Sequence, residues 1–217
     1  MRRSRPDAPW PELREHLRAR LLPIERYDPA DPDVRSDFDL NPGWSPSTGA
    51  TPRAAAVLVP IVEYPEGPKV LLTLRSEALK QHAGQVAFPG GRSDPGETPW
   101  QAALREAEEE IGLEPRFVEI AGLSTSYLTG TGFRVTPVVG FVRPDFELRL
   151  NPHEVTEAFE VDFRRLIAPE SYERRSYRMP TGAERHFYAM PFEDRLIWGA
   201  TAGMLRALHD RLFEEAA

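Results

Sequence analysis

Cysteine is absent from the 217-residue sequence, so disulfides, thiolate metal sites and a cysteine nucleophile are excluded. A chain without cysteine suits a reducing compartment, and we expect a cytoplasmic protein. Lysine is almost absent too, because all but Lys69 and Lys80 of the 27 basic residues are arginine. Arginine is the side chain best shaped to bind phosphate. The net charge of -7 nevertheless argues against a general nucleic-acid-binding protein.

Long apolar runs are also missing, and no segment is long enough to cross a bilayer. The opening MRRSRP resembles the charged start of a signal peptide, but no apolar run follows it. Asp7, Glu12 and Glu15 argue against a transit peptide, which is poor in acidic residues. The sequence therefore predicts a soluble protein without a membrane partner.

Composition divides the chain into a proline-rich segment, residues 1–52, and a body, residues 53–217. In the first segment, the run PELREHLRARLL predicts one amphipathic helix from four leucines at helical spacing: Leu13, Leu17, Leu21 and Leu22. We interpret the irregular stretch that follows as a flexible lead-in, with Phe38 and Trp44 as possible anchors on the body. The body is long enough for one sizeable domain with a buried core.

Short apolar or alternating runs in the body predict strands, and they are RAAAVLVPIVEY, KVLLTLRS, QVAF, FVEIAGLSTSY, FRVTPVVGFV, EAFEV and RHFYAMPF. A short helix is predicted at DFRRLI. A terminal helix is predicted at GATAGMLRALHDRLFEE, with Met204, Leu205, Leu208 and Leu212 facing inward. Strands outnumber helices and do not alternate regularly with them. This order predicts an α+β fold with a mixed sheet flanked by helices.

The boundaries of one further helix can be read from residues 98–112. Thr98 and Gln101 form a capping box, Pro99 suits the first helical position, and Gly112 suits a left-handed C-terminal cap. The helix is predicted to span 99–111. Its apolar stripe consists of Trp100, Ala103, Leu104, Ala107 and Ile111.

A second, acidic stripe is predicted along the edge of this helix, formed by Glu106, Glu109 and Glu110. Carboxylates spaced i, i+3 and i+4 repel one another. A hard divalent cation such as Mg²⁺ would offset the repulsion, because it prefers oxygen ligands. The alternative is a solvated face neutralised by Arg105 and counterions, which the helix alone favours because acidic runs on helices are common.

A glycine-rich loop precedes the helix. Gly90, Gly91 and Gly96 allow tight bends and a close backbone approach to a ligand, and the helix N-terminus offers free N–H groups to anions. A phosphate-binding loop one turn before clustered carboxylates makes a coherent diphosphate site. Taken alone, the loop is weak support.

The segment from Gly91 to Leu113 resembles the Nudix box, G-x5-E-x7-REUxEExGU with U apolar, without a departure. The resemblance implies the Nudix fold, a mixed sheet between helices with a loop–helix–loop metal site for Mg²⁺ or Mn²⁺. Carried over, the metal ligands are Glu106, Glu109 and Glu110. The resemblance gives Glu97 and Arg105 a supporting role in which they fix the loop by pairing.

A second signature, LLTLRSEALKQHAGQVAFPGG at residues 71–91, resembles the motif LLTxR(S/A)x3Rx3Gx3FPGG of the coenzyme A pyrophosphatases. Lys80 is the one mismatch, since it stands where the motif has arginine. NPHEVTEAFEV and IWGATA also resemble segments of that subfamily, so the resemblance extends from about residue 54 onward and leaves the N-terminal segment uncovered.

The resemblance implies metal-dependent hydrolysis of the diphosphate of coenzyme A (CoA) or a CoA derivative, giving 3′,5′-ADP and 4′-phosphopantetheine. Arg75 and Lys80 are then expected to bind substrate phosphates, beside the backbone of Gly90 and Gly91. Catalytic roles fall on Glu106, Glu109 and a proton acceptor. A box glutamate or a distal carboxylate can fill that last role.

The distal run HEVTEAFE offers Glu154, Glu157 and Glu160 as proton acceptors, and we favour Glu154 because it stands in a predicted loop before a strand. His153 is a further candidate. The run TGTGF, residues 129–133, is interpreted either as part of the substrate pocket or as a hairpin turn.

Three other functions remain open from the sequence. One is a Nudix diphosphatase for ADP-ribose, a nucleotide sugar or a damaged nucleoside triphosphate. The second is a non-catalytic Nudix-like binding module. The third is an interaction protein whose acidic helix recruits a basic partner. The oligomeric state does not follow from the sequence.

Overall fold

The computed structural model describes residues 7–43, 51–79, 82–179 and 182–214. Four helices occur in this part of the chain: α1 (Trp10–Arg20), α2 (Pro99–Ile111), α3 (Phe163–Ile167) and α4 (Ala200–Phe213). Short 3-10 turns lie at Ile24–Arg26, Pro115–Phe117 and Pro169–Ser171. None of the helices in the described residues is long and apolar enough to span a membrane.

The described strands are β1 (Val34–Ser36), β2 (Arg53–Tyr64), β3 (Gly67–Arg75), β4 (Val86–Ala87), β5 (Gly90–Arg92), β6 (Val118–Leu123), β7 (Ser126–Leu128), β8 (Phe133–Val142), β9 (Val155–Asp162), β10 (Glu173–Arg178), β11 (Glu184–Phe192) and β12 (Arg195–Trp198). The predicted strands are therefore confirmed, with β1, β5, β10 and β12 added. The strand β10 is missed by pattern because all of its residues are exposed, so it carries no apolar alternation.

Nine strands form one mixed sheet, with the order β1-β7-β8-β2-β3-β4 and with β5, β6 and β9 pairing with β2, β8 and β3. The long central pair, β2 and β8, is parallel, whereas β2 and β3 are antiparallel. The strands β10, β11 and β12 form a separate antiparallel sheet, called here the hairpin sheet. The predicted mixed α+β fold is confirmed.

The central strand β2 is buried on both faces because its alternate residues enter different cores. Ala56, Leu58 and Val62 belong to the core that α2 covers. Val59 and Ile61 belong to the other core, which α1 and α4 cover. This arrangement places helices on both sides of the sheet and fixes α2 against β2, beside the glycine loop.

The two predicted amphipathic helices are present. In α1, Leu13 and Leu17 are buried. The prediction is wrong for Leu21 and Leu22, because the helix ends at Arg20 and the chain is extended at Leu21. In α4, the four predicted inward residues are all buried: Met204, Leu205, Leu208 and Leu212. Both helices contact each other and close the same side of the sheet.

The stretch after α1 is built into the body. The strand β1 runs parallel to β7, and the Asp37 side chain accepts hydrogen bonds from Tyr127 Oη at 3.1 Å and the Gly130 N–H at 2.7 Å. Arg185 Nη2 donates to the same carboxylate at 3.0 Å. The interpretation as a flexible lead-in is therefore wrong for residues 34–41, because partners distant in sequence hold them. Phe38 is half-buried, and Trp44 lies outside the described residues.

Asn41 completes this attachment to the hairpin sheet. Its buried side chain donates to the Asp37 carbonyl at 2.8 Å and the His186 carbonyl at 3.0 Å, and accepts the His186 N–H at 2.7 Å. The N-terminal segment thus joins the β7–β8 turn and the hairpin sheet through polar contacts that carry geometric specificity.

Replacing Asp37 with alanine is expected to lower the free energy of unfolding by about 3 kcal/mol, because the substitution leaves a backbone N–H, a phenol and a guanidinium without their acceptor. Urea denaturation measures the loss. Asp39→Ala is the matched control, since Asp39 is exposed and bonds only Ser36 among the described residues. Equal losses in the two variants would contradict the role assigned to Asp37.

Candidate active site

The glycine loop lies against β2 because Gly90 has no side chain. At φ 155°, a Cβ on Gly90 would lie 2.4 Å from the Ala56 carbonyl oxygen and 2.6 Å from the Val57 Cα. The Gly90 N–H donates to Glu110 Oε2 at 3.0 Å. The loop backbone is thereby fixed to both β2 and α2.

The helix α2 begins and ends as predicted. Thr98 and Gln101 form the capping box around the first turn, and Gly112 is left-handed at φ 72°. Local residues therefore determine the span 99–111.

Arg105 ties this helix to the loop before it. Its guanidinium holds Glu97 through two contacts, Nε to Oε1 at 2.9 Å and Nη2 to Oε2 at 3.0 Å, and donates to the Arg92 carbonyl at 3.1 Å. The hydrogen bond from Arg105 holds the pKa of Glu97 below its usual value. The pairing that the sequence predicts between Glu97 and Arg105 is present.

The three glutamates of the predicted acidic stripe differ in burial. The Glu110 side chain is only 2% exposed, whereas that of Glu109 is 56% exposed. Glu106 lies between these extremes at 16%. Glu110 faces inward because the Gly90 N–H and the Arg75 guanidinium, 3.4 Å from its Oε1, draw its carboxylate under the loop.

Burial raises the pKa of Glu110 to about 7. The Gly90 N–H and Arg75 favour the charged form and lower this pKa, but their effect is smaller than that of burial. Burial also raises the pKa of Glu106, although the hydrogen bond from Arg105 lowers it. The charges of Glu106 and Glu154 raise the Glu110 pKa further. Negative charge is thus concentrated where water solvates it poorly.

Glu154 precedes β9 and is half-buried. Its charge raises the pKa of both Glu106 and Glu110, so the fold brings this predicted proton acceptor to the helix carboxylates. The alternatives have other partners: Glu157 pairs with Arg195 at 2.6 Å, and Glu160 accepts from Tyr64 at 2.7 Å. His153 is exposed.

The donor set fits a hard divalent cation because it consists of carboxylate oxygens concentrated beside a core. Gly91 leaves room for one of them, since a Cβ there would lie 2.5 Å from the Glu106 carboxyl carbon. The oxygens of Glu106, Glu109 and Glu110 do not all converge within 4.8 Å. Arg105 Nη1 donates to Glu106 at 2.9 Å and to Glu109 at 3.2 Å. Rotation of those side chains would be needed to bring the three together.

The group of ligand atoms that does converge in the described part of the chain lies at the C-terminal end of α4 and consists of His209, Asp210 and the C-cap residue Glu214. These groups already have partners. Arg206 pairs with Asp210 at 3.0 Å and with Glu214 at 3.1 Å. His209 Nδ1 lies 2.7 Å from the Ile167 carbonyl. We therefore assign no metal to this group.

Arg75 ends β3 beside Glu110, and its buried Nε has no hydrogen-bond partner among the described residues. A buried donor without an acceptor is unusual and suits a group that binds a ligand. Lys80, the other predicted phosphate contact, lies outside the described residues.

A cavity of about 600 Å³ extends from Arg75, Gly90 and Gly91 to the hairpin sheet. The β7–β8 turn, residues 129–131, also lines it, so the TGTGF run is both a turn and part of the wall. Sequence reasoning missed the contribution of residues 35–37, 39 and 40. No local pattern marks it, because it depends on the long-range bonds of Asp37 and Asn41.

Comparisons with known proteins identify the family of the chain. The NUDIX domain family matches residues 52–181. A protein of Escherichia coli K12 described as "Uncharacterized Nudix hydrolase NudL" is 42% identical over 158 residues, covering 72% of this chain and 81% of its own length. The Klebsiella pneumoniae protein of the same description is 41% identical over 157 residues, with the same two coverages, 72% and 81%.

Solved structures give weaker similarities. The Nudix hydrolase RenU from M. Smegmatis has 28% identity and a TM-score of 0.42, covering 52% of this chain and 72% of its own. A C. elegans Ap4A hydrolase binary complex has 24% identity and a TM-score of 0.45, covering 50% of this chain and 80% of its own.

Nudix hydrolases generally use divalent metal ions. The family match includes the glycine loop, α2 and Glu154, and the relatives match across most of their length. The chain belongs to the NUDIX domain family and is a Nudix hydrolase, a pyrophosphohydrolase that acts on a nucleoside diphosphate derivative.

Proposed function

We propose that this Nudix hydrolase cleaves the diphosphate of coenzyme A or a CoA derivative, releasing 3′,5′-ADP and 4′-phosphopantetheine or its acyl form. The observation that carries the proposal is the position of Arg75. This residue of the upstream signature lies 3.4 Å from Glu110 and lines the same cavity as Gly90 and Gly91. Its Nε, which has no partner in the described part of the chain, is a donor for a substrate phosphate.

The metal ligands in this proposal are Glu106, Glu109 and Glu110, and the ion is Mg²⁺ or Mn²⁺. When bound, such a cation neutralises charge on the diphosphate and lowers the pKa of an attacking water. Glu154 accepts the proton of that water in this proposal. Its charge acts on Glu106 and Glu110, whereas Glu157 pairs with Arg195 and Glu160 accepts from Tyr64.

The remaining residues orient the reacting groups. Arg105 and Glu97 hold the loop to α2, and the backbone of Gly90 and Gly91 lies along the cavity. Arg75 and Lys80 bind the phosphates. Charge-assisted contacts of this type contribute about 1.5–3 kcal/mol each.

The division of the chain belongs to the same proposal. Residues 53–217 form the Nudix hydrolase domain, and residues 1–52 form a segment that completes the cavity through residues 35–37, 39 and 40. A bulky CoA derivative would use that additional wall, whereas a small nucleotide would need less of it.

Product identification tests the function. Purified protein with Mg²⁺ or Mn²⁺ is expected to convert CoA to 3′,5′-ADP and 4′-phosphopantetheine, resolved by chromatography and mass spectrometry. A kcat/KM for CoA about tenfold or more above that for ADP-ribose is expected. Preference for ADP-ribose would instead assign the enzyme to another nucleoside diphosphate derivative, and release of adenosine or inorganic phosphate first would exclude attack within the diphosphate.

A further inference from the structure

Four tyrosine, phenylalanine or tryptophan side chains of the hairpin sheet line the cavity: Tyr177, Phe187, Tyr188 and Trp198. Three of them, Tyr177, Phe187 and Trp198, lie in a row. The ring centroids of Tyr177 and Phe187 are 5.9 Å apart, and those of Phe187 and Trp198 are 5.4 Å apart. Strand pairing places all three on one face, since Tyr177 lies opposite Arg185 and Trp198 lies opposite Ala189. We call these three side chains the aromatic wall.

The aromatic wall is separate from the hydrophobic cores of the described residues. On the opposite face of the hairpin sheet, Met190 and Ile197 enter the core that α4 covers. Tyr177, Phe187 and Trp198 pack against neither core, and Tyr177 is 41% exposed. Apolar ring surface left facing a cavity gains stability when a ligand covers it.

A cationic group is fixed at the edge of the wall. Arg185 Nη1 donates to Tyr177 Oη at 3.2 Å, while its Nη2 pairs with Asp37 at 3.0 Å. Arg35 and Arg206 line the same cavity from β1 and α4. Flat rings with guanidinium groups beside them suit a ligand that joins a flat heterocycle to phosphates.

The wall and the glycine loop border one continuous cavity, whose volume of about 600 Å³ lies in the range of small-molecule sites. We propose that the aromatic wall is the subsite that stacks the nucleobase of the substrate. This inference rests on the proposed function, in which the substrate carries an adenine at one end of its diphosphate.

The subsite also explains where specificity arises. Phe187 and Trp198 lie beyond residues 52–181, the part matched by the family, and Asp37 lies before it. The matched residues supply the loop, the carboxylates and Tyr177, while the strands beyond them supply Phe187 and Trp198. Two of the three base contacts are therefore set by residues outside the family match.

Equilibrium binding of AMP and ribose 5-phosphate tests the subsite, because these probes share a ribose phosphate and differ only in the base. Calorimetry on the full chain is expected to show AMP binding about tenfold or more tighter than ribose 5-phosphate. Trp198→Ala and Phe187→Ala should each weaken the binding of AMP by about tenfold and leave the affinity for ribose 5-phosphate unchanged. Trp198→Phe, which keeps a ring, should retain most of the AMP affinity.

The inference would be overturned if a folded variant lost affinity for both probes equally. It would also be overturned if the variant kept its full affinity for AMP. If an alanine variant of one of these half-buried rings fails to fold by circular dichroism, Tyr177→Ala provides the same comparison at an exposed position. Weakened binding of 4′-phosphopantetheine, with AMP unaffected, would assign the wall to the pantetheine arm and overturn the base subsite alone. If the enzyme binds AMP more tightly than ribose 5-phosphate but does not hydrolyse CoA, the result would support the subsite and contradict only the proposed CoA activity.

Discussion

Replacing Glu110 with glutamine is expected to lower kcat for CoA hydrolysis by about three orders of magnitude while the protein stays folded. Glutamine keeps an oxygen that can accept the Gly90 N–H but removes the charge that a divalent cation requires from this buried position. Steady-state kinetics at saturating Mg²⁺ measures the effect.

Glu108→Gln is the matched control, because Glu108 is an exposed glutamate of the same helix outside the proposed ligand set. Its kcat is expected to stay within about twofold of the wild type. In metal-free buffer, Glu110→Gln should unfold at a temperature no lower than the wild type, since it removes one of three mutually repelling charges. Wild-type turnover in Glu110→Gln would refute its assignment as a ligand.

Gly91→Ala is expected to reduce kcat by about a hundredfold or more with little change in stability. A Cβ at residue 91 would lie 2.5–2.6 Å from the Glu106 carboxyl group. That group ends a flexible side chain, so it would rotate away at small cost to folding. The rotation would displace one proposed ligand from the site, and kinetics combined with thermal unfolding would show the two effects separately.

Gly96→Ala reverses this pattern and serves as the control. Gly96 has φ 84°, and no described atom lies within 4 Å of the position that an alanine Cβ would take. Alanine there strains the backbone by about 1 kcal/mol without touching a carboxylate. The free energy of unfolding of Gly96→Ala should fall, whereas its kcat should stay close to that of the wild type. Loss of activity in Gly96→Ala equal to that in Gly91→Ala would mean that loop strain, and not displacement of Glu106, explains the effect.

Elements whose signals are local were predictable from the sequence. The capping box at Thr98 and the glycine at residue 112 determine the ends of α2. Short apolar runs mark β2 and β3, and apolar residues at helical spacing mark α1 and α4. The fixed spacing of residues from Gly91 to Leu113 identified the family. The spacing can be read locally because the loop and the helix that it describes follow each other in the sequence.

Elements held by distant partners were not predictable in this way. The hairpin strand β10 and the short β1 carry no pattern of their own, and they form because β11 and β7 offer unpaired backbone groups. Residues 34–41 look like a polar loop in the sequence, yet Asp37 and Asn41 attach them to residues 127, 130, 185 and 186.

The sequence by itself determined the fold family, the span of α2 and which glutamates are candidates for a metal. Only the tertiary structure decided how those glutamates differ: Glu110 is buried under the loop, Glu109 is exposed, and Glu154 joins them from a loop before β9. The cavity also exists only in the folded chain, because the N-terminal segment, the glycine loop and the hairpin sheet all line it. Helical spacing gives the direction of a side chain, but burial and charge depend on the groups that chain folding brings beside it.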